Sequence, residues 1–139
     1  MSFDSEQYLG PFQRMLGLEV VSATDGHAEV TLKLEQWHSS MEDQLVAQGG
    51  VVFTLADFAG GMALVSLIDH PIPTIDMRID YLKPATEDLR AVGTVLRDGS
   101  GSGVVDVTVK DDAGPVATAR GVFKTGEMTT GSPWADDGE

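Results

Sequence analysis

The sequence predicts an α+β fold in which one antiparallel β-sheet of about six strands wraps around a long central helix. Three observations carry that prediction. Residues 47–68, AQGGVVFTLADFAGGMALVSLI, are long enough for a helix and apolar on every side, so in a soluble protein other parts of the chain must surround them. Six other runs have strand character: 17–24, 27–34, 74–82, 89–98, 103–112 and 115–125. Pro84, Gly99 to Gly103 and Gly114-Pro115 punctuate the last four, and such short connections favour antiparallel neighbours.

Taken in order, residues 4–16 place Tyr8, Phe12 and Met15 or Leu16 at helical spacing ahead of Gly17, which predicts a short helix serving as a lid or for packing. GLEVVSAT (17–24) and HAEVTLKL (27–34) flank the turn residues Asp25 and Gly26 and predict a hairpin. EQWHSSMEDQLV (35–46) follows neither period, and a loop of that length within a domain is often functional. The apolar helix and four strand-like runs follow. One domain is expected over residues 1–126, with an acidic, frayed tail over 127–139. A sheet of this kind has open edges, which dimerisation would blunt.

The 139 residues suffice for one core, burying about 70% of the unfolded surface without a disulfide or a metal. Cysteine is absent, which removes thiol catalysis and thiolate-held metals and fits a reducing cytoplasm. The N-terminus, MSFDSEQYLG, lacks the basic and then apolar order of an export signal, so a cytoplasmic location is expected. Nine basic residues against 22 acidic ones, net −13, disfavour nucleic acid and anionic membranes as partners. The acids are scattered and read as solvated surface. With only four lysines, the balance resembles that of cytoplasmic proteins from salt-loving microbes. Segment 47–68 could span a bilayer by length, but Asp57 sits near its middle and no basic residue flanks it, so no membrane span is expected.

His27, His38 and His70 show no metal-ligand spacing, and the GSGSG run at 99–103 precedes a strand instead of the helix that a phosphate loop requires. No metal or cofactor is expected. Asp57 stands out, because an ionisable group inside a buried helix is costly unless it is paired or used. Gln48-Gly49-Gly50 opens the same helix, where free N–H groups and the helix dipole favour an oxyanion or another anion. The structural alternatives are an Asp held by local hydrogen bonds and a plain loop-to-helix turn. Gly49 and Asp57 lie eight residues apart, about 12 Å along a helix, so they cannot grip one carbonyl from the same chain. Two such helices antiparallel across a two-fold axis would bring them together.

QGGVVFTLADFAGGMA (48–63), TIDMRIDYLKPA (74–85) and VATARGVF (116–123) resemble the hotdog-fold acyl-CoA thioesterases of the phenylacetate-degradation (PaaI-like) type, over roughly residues 11–125. The resemblance implies a hotdog fold, hydrolysis of an acyl-CoA thioester without cofactor, and sites shared between the subunits of a homodimer or homotetramer. It implies that Asp57 is the catalytic carboxylate, acting as general base or nucleophile. Gly49 would polarise the carbonyl through its N–H, with Gln48 beside it, and Thr74 would hold the attacking water. Substrate-contacting positions are Gly50, Glu42, Phe58, Gly61, Tyr81 and Lys83, with Phe53 and Met62 as further candidates for the acyl pocket. Two residues depart from the family: Gln48 stands where His is usual, and Glu42 stands where Asn often helps position water or thioester, with Gln44 a possible substitute in another loop register. Ser100 replaces a frequent basic residue, leaving Lys83 and Arg97 as candidates for phosphate contact. The expected substrate is an aryl-, arylacetyl- or medium-chain acyl-CoA. The alternative is a hotdog protein that binds or senses acyl-CoA without turnover. Hydratase chemistry would need a His beside the acid.

Overall fold

The computed structural model describes residues 4–127 and 132–133. The tail expected over 127–139 lies outside the described residues apart from Glu127, Ser132 and Pro133. A 3-10 turn (Ser5–Tyr8) precedes helix α1 (Pro11–Leu16), strands β1 (Leu18–Thr24) and β2 (His27–Leu32), and the long helix α2 (Gly49–Ile68). Strands β3 (Thr74–Tyr81), β4 (Leu89–Asp98), β5 (Ser102–Asp111) and β6 (Gly114–Lys124) complete the chain of elements. The single helix expected over 4–16 is instead two short pieces, because Gly10 is extended (φ −78, ψ 176) and Pro11 can begin a helix but not continue one.

All six strands form one antiparallel sheet in the order β1-β2-β4-β5-β6-β3. Asp25 (φ 51) and Gly26 (φ 80) are both left-handed, as the tight hairpin between β1 and β2 requires. One expectation fails: β3 is not a neighbour of β4. It pairs with β6 and forms the far edge, so the connection from β3 to β4 passes across the sheet. Edge position leaves β3 largely open, with Ile75, Tyr81 and the following Leu82 exposed.

The sheet curls around α2, whose Leu55, Ala56, Ala59, Ala63 and Leu64 have no measurable exposure. That packing accounts for the helix's apolar composition, although by length and composition alone it could cross a bilayer. Contact with the sheet is close at Gly93 of β4, where a Cβ would stand 2.8 Å from the carbonyl oxygen of Ala59. The hairpin turn is fastened to the helix as well, since the Gly26 N–H donates to Ser66 Oγ (2.9 Å). One stripe of α2 escapes burial. Gly50, Phe53, Thr54, Asp57 and Gly61 fall at helical spacing on a face left exposed or half-buried by the single chain.

Candidate active site

Two elements position Asp57. It lies in the middle of α2 on the open stripe, and β3 brings Thr74 against it, so that Thr74 Oγ1 donates to Asp57 Oδ1 at 2.6 Å. A bulge makes this possible. The β3–β6 register shifts between Thr74 and Asp76, and such an extra residue re-aims the side chain beside it. Thr74 thereby joins Met77, Ile79 and Tyr81 in facing the helix rather than pointing away from it. Burial is the largest influence on the Asp57 carboxyl and raises its pKa, while the Thr74 hydrogen bond opposes that rise. Among the described residues nothing donates to Oδ2, which is left to meet water or substrate.

The start of α2 is held as firmly. The Ala47 N–H donates to the Ala85 carbonyl (2.8 Å) and the Gln48 N–H to the His38 carbonyl (2.9 Å). Gln48 is the N-cap, its Oε1 accepting from the Gly50 N–H at 2.6 Å. With its oxygen engaged, the Gln48 amide keeps an NH₂ donor that no acceptor among the described residues takes. The Gly49 N–H finds no acceptor among the described residues, as expected at a helix N-terminus. Tyr81 Oη donates to the Gly49 carbonyl at 2.6 Å, and its ring covers the Gly49 Cα so closely that a Cβ would stand 3.3 Å from the hydroxyl. Burial also raises the Tyr81 phenol pKa, which keeps it a donor.

A cleft of about 390 Å³ with both polar and apolar lining opens beside Asp57. Phe58, Gly61, Met62, Thr74 and Phe123 are among its lining residues, so Asp57, Thr74, Phe58, Gly61 and Met62 come together. Tyr81 is not in this cleft. It lines a second hollow of about 370 Å³ with Val46, Val52 and Lys83, close to the N-terminus of α2. Phe53 is half-buried on the open stripe between these two regions.

The remaining sequence candidates are placed as follows. Glu42 lies on an exposed loop, 39–46, that the sequence showed only as irregular but that is tightly braced. Ser39 Oγ donates to the Gln44 carbonyl (2.7 Å) and accepts from Val46 N–H (3.0 Å), while Gln36 Nε2 donates to the Met41 carbonyl (2.8 Å). No contact joins the Glu42 side chain to Asp57 or Gly49 within the chain. Lys83 Nζ pairs with the buried carboxylate of Asp111 at 3.2 Å. Burial alone would raise the Asp111 pKa, but the N–H groups of Ala113 and Gly114 together with Lys83 bring it below the ordinary value. Arg97 stands exposed beside the 99–103 turn, where Ser100 also lies.

Sequence reasoning missed His38. It is buried, accepts the Glu35 N–H on Nδ1 (2.9 Å), and places Nε2 2.9 Å from the Leu16 carbonyl. That pairing makes Nε2 the protonated nitrogen and fixes the ring, and with it the carbonyl that holds Gln48. A lone histidine in an irregular run gives no such signal.

The description of the Thioesterase superfamily matches residues 46–118, which include α2, β3 and both ends of the site. The chain is 36% identical over 124 residues to a Halobacterium salinarum protein described as an esterase, covering 78% of this chain and 80% of the relative. It is 28% identical over 121 residues to the medium/long-chain acyl-CoA thioesterase YigI of Escherichia coli, covering 76% of this chain and 78% of that protein. Among solved structures, the Escherichia coli PaaI protein from the phenylacetic acid degradation operon superposes with a TM-score of 0.78 at 25% identity, covering 87% of this chain and 88% of that one. Shared sequence over more than half the chain, on the same six-stranded hotdog architecture, shows that this protein belongs to the thioesterase superfamily.

Proposed function

We propose that the protein is an acyl-CoA thioesterase that hydrolyses aryl-, arylacetyl- or medium-chain acyl-CoA to the free acid and coenzyme A in the cytoplasm, as a homodimer or a dimer of dimers. The observation that carries the reading is the Thr74-bonded, half-buried Asp57 carboxylate on the wall of a cleft that Phe58, Met62, Val65 and Phe123 help to line. The name of YigI supports the acyl-CoA class, the phenylacetic acid degradation operon of PaaI supports an arylacetyl group, and Phe58, Met62, Val65 and Phe123 in the cleft lining support an acyl or aryl occupant.

In this reading Asp57 Oδ2 takes a proton from water as the water oxygen attacks the thioester carbonyl. The carbonyl oxygen gains negative charge, which the Gly49 N–H and the Gln48 amide stabilise, with the α2 dipole behind them. Collapse of the tetrahedral intermediate breaks the C–S bond, and the proton passes from Asp57 to the leaving sulfur. Water and thioester become carboxylic acid and thiol. Eight residues of helix separate Asp57 from Gly49, about 12 Å, so the donors at each site belong to a second copy. The open stripe of α2 and the unpaired edge of β3 support such a pairing.

The test is thiol release from phenylacetyl-, benzoyl- and hexanoyl-CoA at low and at molar salt. The expected result is turnover of at least one of them, higher at molar salt, because screening relieves the self-repulsion of a chain with net charge −13. Tight binding of acyl-CoA with no thiol released would favour the binding or sensing alternative instead.

A further inference from the structure

The Asp57 cleft has a direction. Asp57, Gly61 and Val65 follow one another at four-residue intervals along α2, a row of about 12 Å, and all three line the cleft. Gly61 contributes no side chain, so the groove runs unobstructed past it. One turn beyond Val65 the helix ends at Asp69, whose backbone is left-handed (φ 60). There Tyr8 Oη donates to Asp69 Oδ1 at 3.2 Å, and Tyr8 and Gln13 both line the cleft. Among the described residues these are the lining side chains contributed by the N-terminal segment, the rest coming from α2, the α2–β3 connection, β3 and β6.

That segment is built to hold its shape. Arg14 Nε donates to the Leu9 carbonyl (3.0 Å) and Arg14 Nη2 to the Glu6 carbonyl (2.9 Å), so one guanidinium braces the 3-10 turn against α1. Leu9 and Leu16 are buried in the core and anchor it. Tyr8 is thus held in place where it lines the cleft, its hydroxyl donating to Asp69.

We propose that Tyr8, with Gln13 beside it, is the end wall of the acyl groove and determines the longest acyl group accepted, the wall being latched by the hydrogen bond to Asp69. The inference rests on the acyl-CoA reading above and names the residue that sorts its substrates. A chain that reaches Tyr8 before its carbonyl reaches Asp57 cannot seat for attack, so selection falls on length.

The experiment measures kcat/KM for saturated acyl-CoAs from butyryl to palmitoyl with the wild type, Tyr8→Ala and Tyr8→Phe. Tyr8→Ala is expected to raise the ratio of myristoyl- to hexanoyl-CoA turnover about 10-fold or more, the scale on which a pocket discriminates added methylenes. Tyr8→Phe keeps the ring, loses the latch and should fall between. Calorimetric titration with non-hydrolysable S-alkyl-CoA thioethers of the same lengths should show the same shift in Kd. Active wild type with an unchanged length profile in Tyr8→Ala, by turnover and by thioether binding, overturns the wall. Wild type that hydrolyses no acyl-CoA overturns the parent reading instead, and the thioether profiles still decide the wall by the same criterion.

Discussion

Asp57→Asn is expected to lower kcat for acyl-CoA hydrolysis by about 10²- to 10⁴-fold, the share that a positioned general base usually supplies. The substitution is nearly isosteric, and Asn Oδ1 can still accept from Thr74, so cleft and β3 stay in place while the proton acceptor is lost. The pH dependence has a definite sign. Burial holds the Asp57 pKa above its ordinary value, so wild-type activity should rise with pH along a limb centred above the normal aspartate value. Stability runs the other way. A carboxyl whose folded pKa is raised contributes stability below its unfolded pKa, about 3.9, and loses it as pH rises through the folded value. At neutral pH Asp57→Asn should therefore melt higher than wild type, with the gap closing below about pH 4. Circular-dichroism melts across that range, together with kcat profiles, check both signs.

Gln48 is expected to show the second-largest effect, and two variants separate its two roles. Gln48→Ala removes the N-cap acceptor of the Gly50 N–H, costing about 1 kcal/mol of stability, and also removes the amide donor. Gln48→Glu keeps an acceptor at the helix start, where a negative charge is favoured, but has no donor when ionised. Both should lose about 10²-fold in kcat, the scale of one oxyanion donor, with the smaller change in KM. Only Gln48→Ala should melt lower. Equal kcat losses with divergent melting temperatures would assign the amide to the transition state; full activity in Gln48→Glu would leave Gln48 as a cap alone.

Much of this architecture was legible because it rests on local signals. The apolar run around Asp57 could only be a wrapped helix, and the Asp25-Gly26 pair could only turn a hairpin. Strand order was not legible. β3 pairs with β6 across the 32 intervening residues 82–113, and that choice depends on how the sheet closes over α2, not on the residues between β3 and β4. The site divides along the same line. Asp57 stands out as an ionisable group inside a buried helix, and Gln48 by its place with Gly49 and Gly50 at the start of that helix. The bulge that turns Thr74 inward, the His38 carbonyl that holds Gln48, and the Asp111 carboxylate that engages Lys83 are products of tertiary packing, and no spacing in the chain encodes them. Gly10-Pro11 is a local signal too, and it divides the N-terminal segment into the two pieces that carry Tyr8 and Gln13.

The central claim is that each active site joins Asp57 of one copy to Gly49 and Gln48 of another. Complementation tests it most directly: Asp57→Asn and Gln48→Glu subunits, each weakly active alone, are unfolded together, refolded, and assayed for thiol release, with native mass spectrometry counting the mixed dimers. A mixed dimer has one site with both functional groups intact, so random pairing should restore about one quarter of wild-type activity. Mixed dimers that form yet show no more activity than the two parents would contradict a site shared between subunits.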